Sequence, residues 1–136
     1  MMRDLTLEYP DFIIATSEWF KMTDAHPFFD HVGDHADELE TSVMMHYHPE
    51  LVNLSEAGQG DSRGFGIKAL SEGKVWIPRN WAKVSRDTGI GSPAKATAEK
   101  GARFAAAVVE KYVEFLADFA RVETIDDLYE PQSHNE

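Results

Sequence analysis

An α/β domain is the fold class this sequence predicts. Three observations predict it: an apolar run over residues 12–16 without polar alternation, a well-signalled helix downstream of it, and a long amphipathic helix toward the C-terminal end. A strand that is apolar at successive residues is covered on both faces, as in a parallel or mixed sheet. A long helix with one apolar stripe needs a layer to cover. At 136 residues, with 43% hydrophobic and 27% charged residues, the chain has the size of one domain and the means to build a core.

Residues 1–9 read as the tail of a helix, broken by Pro10 and Asp11. The strand candidate follows as Phe12, Ile13, Ile14, Ala15 and Thr16. Residues 24–34 are acidic, aromatic and His-rich, with Pro27 after His26, and read as a loop, where function gathers on rigid scaffolds. Residues 36–47 carry Leu39, Val43 and Tyr47 at helical spacing. Asp34 is available to cap this helix, and Asp37 and Glu38 suit the positive end of its dipole. Pro49 disfavours helical geometry in His48 and ends it. Residues 53–63 are a polar loop, and residues 64–70 and 74–78 are candidate short strands around a Ser71-Glu72-Gly73 turn. Ser92 is placed to cap a last helix with Pro93 in its first turn, and Phe104, Val108, Tyr112, Phe115, Leu116 and Phe119 form its stripe. Residues 1–121 are expected to be one domain portion and residues 122–136 a polar tail.

Charge narrows the function. Thirteen basic against twenty-four acidic side chains leave a net −11, a field that repels phosphate backbones and anionic lipid, so nucleic acid and membrane are not expected partners. The absence of cysteine rules out disulfides, thiolate zinc sites and a cysteine nucleophile. No signal-peptide core or apolar run long enough to span a bilayer is present. A cytoplasmic protein is the expectation.

The densest chemistry lies between Asp24 and His48, which hold five of the six histidines together with Asp30, Asp34, Asp37, Glu38 and Glu40. Imidazole exchanges protons near neutrality, and neighbouring carboxylates can orient it or share a cation. No HExxH pattern is present, and a solvated acidic loop fits the composition equally well. At the helix entry, Asp34 and His35 are either a cap with an exposed neighbour or a substrate-binding pair, with Glu40 one turn further on.

Taken together, His35-Ala36-Asp37-Glu38-Leu39-Glu40-Thr41-Ser42-Val43-Met44-Met45 followed by Pro49-Glu50-Leu51-Val52 resembles the creatininase (creatinine amidohydrolase) family, whose segment reads HAGexETSlml and then rPelV. Residues 88–101, TGIGSPAKATAEKG, are similar to that family's TGxGDPxxAtxEKG, and the resemblance covers residues 1–121. It implies a three-layer αβα sandwich with a mixed sheet, and hydrolysis of C–N bonds in small cyclic or linear amides with two divalent ions, zinc or manganese, activating water. Carried over by motif, His35 is the substrate-contacting histidine that moves a proton to the leaving nitrogen, Glu40 the carboxylate supporting it, and Asp34 a second substrate contact. Asp37 stands where the motif has glycine and Ser92 where it has aspartate. The Trp-Asp pair that grips creatinine has no counterpart near His31 and Val32, which argues against creatinine itself.

The family's ligand motifs, HxPLGTD-like and NGHGGN-like, do not occur in the sequence, so no metal ligand is assigned. The expectation is therefore a C-terminal half of a creatininase-type hydrolase, truncated, split or misassigned, inactive alone, acting on a small-molecule amide and homo-oligomeric as its relatives are. One alternative is a non-enzymatic metal-binding or assembly module in which His26, His31, His35, His46 and His48 bind a cation without the missing half; another is a regulatory or oligomerisation module that pairs with a separate N-terminal half.

Overall fold

A computed structural model describes residues 2–130 of the chain. The chain divides into two compact units, one made of Met1–Thr23 with Val108–Glu136 and the other of Asp24–Ala107. Of the expected polar tail, residues 131–136 lie outside the described residues.

In the first unit the helix expected at the start is present as α1, Met2–Glu8, and a 3-10 turn spans Trp19–Lys21. Residues 12–18 between them belong to no strand. The expected mixed sheet is absent: among the described residues the only β pairings are the isolated bridges His35↔Ile90 and Ser62↔Ser85. The reason is that an apolar run becomes a strand only when a neighbouring backbone offers it a ladder. Here the apolar side chains of Phe12, Ile13 and Ile14 instead face Phe115, Leu116 and Phe119 across an open concavity. Phe115 and Phe119 stack with ring centres 5.4 Å apart, and Ser17 Oγ lies 2.6 Å from the Tyr112 hydroxyl. The αβα sandwich expectation is corrected accordingly to helices and coil.

The second unit is built around α2, Glu38–Tyr47. Asp37, rather than Asp34, is its N-cap: the backbone there is extended and the carboxylate accepts from Glu40 N at 2.9 Å. The helix stops at His48, as the following proline requires, and Pro49–Leu51 and Leu54–Glu56 are single 3-10 turns. Two one-turn helices follow, α3 at Lys68–Ser71 and α4 at Trp81–Val84. The strands expected over 64–70 and 74–78 do not form. Residues 71–80 are exposed throughout, so no buried face exists to fix a register.

The last helix, α5, runs Ala98–Phe119, beginning five residues beyond Pro93. Thr97 caps it, its Oγ1 accepting from Lys100 N at 3.2 Å, while a turn closed by Ala96 N on Pro93 O precedes it. The first turns of α5 cross α2 closely. A Cβ at Gly101 would lie 2.0 Å from Ser42 O, and the fully buried Ser42 accepts from Thr97 N through its hydroxyl at 3.1 Å. Beside this crossing Phe104, with no exposed surface, meets Phe28 and Phe29 edge-on at 5.5 and 5.3 Å. No helix among the described residues is long and apolar enough to cross a membrane.

Candidate active site

Three backbone devices fix His35. Asp34 N and His35 N both donate to Ile90 O, at 2.7 and 3.2 Å, and Ile90 N returns a bond to His35 O at 2.8 Å. Ala36, the next residue, sits in the left-handed region at φ 49°, and its N–H donates to Glu40 Oε2 at 2.6 Å. That same oxygen stands 3.4 Å from His35 Nδ1, with both side chains about half exposed. The separation is ion-pair distance rather than a formed hydrogen bond. With Nδ1 facing a carboxylate, Nε2 is the ring atom left to take or give a proton.

Asp34 is occupied differently from the expectation. Both of its carboxylate oxygens accept from Arg79, at 2.8 and 2.6 Å, a bidentate pair of the stronger kind. The Arg79 guanidinium holds the Asp34 carboxyl below its ordinary value against a smaller opposing effect of burial. Arg79 also lies over the Trp81 ring at 5.9 Å, and the Trp81 ring meets the His35 ring edge-on at 5.2 Å.

Next to this group opens a cavity of about 400 Å³, lined by Ala36, Glu40, Met44, Glu56 and Asp87 among others. That is a volume for a small molecule. Glu40 lines it and His35 does not, so the pair spans the cavity wall and its surroundings. Gly58, Gly60, Gly89 and Gly91 also line it. Gly60 N and Gly89 N donate to the two oxygens of Asp87, at 3.2 and 3.1 Å, which keeps that carboxyl ionised below its usual range. Gly91 N donates to Gly60 O at 3.0 Å. A Cβ on Gly60, at φ 69°, would fall 1.7 Å from Gly91 O, so only glycine lets these two segments meet.

The remaining acidic residues of the His-rich segment have structural work. Glu38 is wholly buried. Burial works to raise its carboxyl, but the Lys100 ammonium and the His31 N–H, at 2.8 Å, outweigh it and the net shift is downward. Lys100 in turn binds Asp30 at 2.8 Å and is held above its ordinary value, first by Asp30 and then by Glu38. His26 pairs with Asp24 at 2.7 Å and His48 faces Glu50 at 3.3 Å, both exposed. Among the described residues no three His, Asp or Glu side chains gather closely enough to hold a metal ion. The donor set does not fit the dinuclear centre that the family resemblance implies.

Sequence reasoning singled out His35 and Glu40 and placed Asp34 beside them; the fold brings the three to one corner. It did not find Arg79, which lies 45 residues from Asp34 with no local pattern to mark it, nor the burial of Glu38 against Lys100.

A histidine and a carboxylate stand together at the head of a helix beside a cavity of small-molecule size, and such groups can exchange protons near neutrality. The creatininase (creatinine amidohydrolase) family profile matches residues 1–116, and the chain belongs to that family. Among solved structures it is similar to a protein of Bacteroides fragilis NCTC 9343 named a "putative creatinine amidohydrolase", with 50% sequence identity and a TM-score of 0.84 over 94% of this chain. The match takes in 49% of that protein, so the chain spans about half its length. No curated protein matches the sequence significantly.

Proposed function

We propose that this chain supplies the histidine–carboxylate wall of a cytoplasmic metal-dependent amidohydrolase that cleaves a C–N bond in a small cyclic or linear amide. The observation that carries the reading is Glu40 Oε2, which is fixed by Ala36 N at 2.6 Å, faces His35 Nδ1 at 3.4 Å and belongs to a residue lining the cavity. Family membership and the name of the Bacteroides protein support the reaction class.

In this reading a water oxygen adds to the amide carbon and the C–N bond breaks. His35 carries the water's proton from Nε2 to the departing nitrogen, while Glu40 steadies the imidazolium formed in between. Acid and amine are the products. Two divalent ions, zinc or manganese, belong to the family's chemistry. In this reading the chain corresponds to the C-terminal half of a family member and works as a homo-oligomer or paired with an N-terminal half.

The test measures hydrolysis of creatinine and of N-formyl amides by the chain alone and by the chain mixed with the half of the Bacteroides protein that it does not cover, each with added zinc or manganese. Turnover is expected only in the mixture, and His35→Ala should lower it by at least about a hundredfold. Turnover or tight stoichiometric metal uptake by the chain alone overturns the half-site reading. An active mixture indifferent to His35→Ala overturns the role of the histidine.

A further inference from the structure

His35 is a half-exposed side chain, and a half-exposed imidazole held only by a 3.4 Å carboxylate has rotameric freedom that proton transfer cannot use. The fold contributes a second hold from a distant part of the chain. Arg79 clamps the residue before the histidine through two parallel hydrogen bonds, 2.8 and 2.6 Å, to Asp34. The planar fork fixes direction as well as distance. Trp81, two residues on and at the start of α4, lays its ring edge-on to the imidazole at 5.2 Å and 63°. Arg79 lies over that same indole at 5.9 Å. The contacts form a closed circuit, from Asp34 to Arg79, to Trp81, to His35 and back along the chain to Asp34, while Glu40 meets the imidazole at Nδ1.

We infer that Arg79 and Trp81 are positioning residues for His35, bracketing the imidazole so that Nδ1 stays on Glu40 and Nε2 stays available to substrate. The inference rests on the histidine–carboxylate reading above. It explains why Asp34, whose two oxygens are both engaged, serves the site through the arginine. It also gives the exposed stretch before α4 a purpose that its lack of core contacts does not.

The test reads the ring directly. In the full chain labelled for NMR, the His35 ring resonances are assigned by their loss in His35→Gln. Trp81→Leu is expected to shift them, because the indole ring current is removed. Trp81→Phe should keep them near their original place. Arg79→Gln and Arg79→Lys should shift them alike, since an ammonium carries the charge without the fork. In the mixed-half assay Trp81→Leu should lower kcat about ten- to a hundredfold with KM little changed, the size of loss that misorientation of a catalytic group produces, and Trp81→Phe should restore it. His35 resonances unmoved by both Arg79 variants and by Trp81→Leu overturn the inference. Should Trp81→Leu fail to fold, the Arg79 variants decide. Shifted resonances with turnover indifferent to His35→Ala would sink the proposed function and leave the bracket standing, whereas turnover dependent on His35 with unmoved resonances would do the reverse.

Discussion

Ala36 adopts φ 49°, a conformation that costs a residue with a Cβ about 1–2 kcal/mol, because its amide must turn to reach Glu40. Ala36→Gly removes that strain at the expense of some backbone entropy. The expected outcome is a gain of about 0.5–1 kcal/mol in a urea or thermal melt. That His35 and Glu40 lie together was legible in the sequence, since they stand in one short motif on one helix entry. The function of Asp34 was not. A carboxylate next to a helix start fits a cap, a substrate contact or an ion pair, and the choice depends on Arg79, whose position only the folded chain supplies. Asp37 won the cap because its backbone is extended and one turn closer to the helix.

At the scale of elements, the two motifs that carry the family resemblance are largely packing. Ser42 and Gly101 let α2 and α5 touch backbone to backbone, and Glu38 and Lys100 neutralise each other beside that contact. Gly101→Ala forces a methyl to 2.0 Å from Ser42 O, where backbone rather than a flexible side chain must yield. A loss of about 3 kcal/mol or more is expected on chemical denaturation. Glu38→Gln keeps the shape and the hydrogen bond from His31 N but not the charge, and should cost about 2 kcal/mol in the same measurement. Helices α2 and α5 were readable because their apolar periodicity and stop signals are local. The strand expected over 12–16 was misread because period and residue type describe a side-chain preference, whereas a strand is defined by a partner.

For the whole molecule, acid is the informative perturbant. Asp30 and Asp34 are held below their ordinary 3.8 by Lys100 and Arg79, Asp87 below the same value by backbone amides, and Glu38 below 4.5. A depressed carboxylate adds stability above its unfolded pKa and loses it as pH falls through the folded one. The melting temperature should therefore stay level from about pH 5 upward and decline below about pH 4, with a shallower decline in Glu38→Gln. A melting temperature flat down to about pH 2 would contradict these pairings. Few described hydrophobic side chains are buried, among them Phe29, Leu39 and Phe104, whereas Phe12, Val113 and Leu116 are each more than half exposed. Apolar surface of that kind seeks a partner. Sedimentation velocity is expected to show species heavier than the monomer, and Leu116→Glu to shift them toward it.

The stretch between Gly60 and Asp87 leaves and rejoins the cavity wall at nearly one point, closed by the Gly60–Asp87 bond and the Ser62↔Ser85 bridge. Because its ends are tied, its length and composition can change at little cost to the rest of the fold. Yet it returns carrying Arg79 and Trp81. Such an excursion joins a tolerant stretch to two exacting positions: changes away from Arg79 and Trp81 should leave the surroundings of the imidazole, and the helix that holds Glu40, as they are.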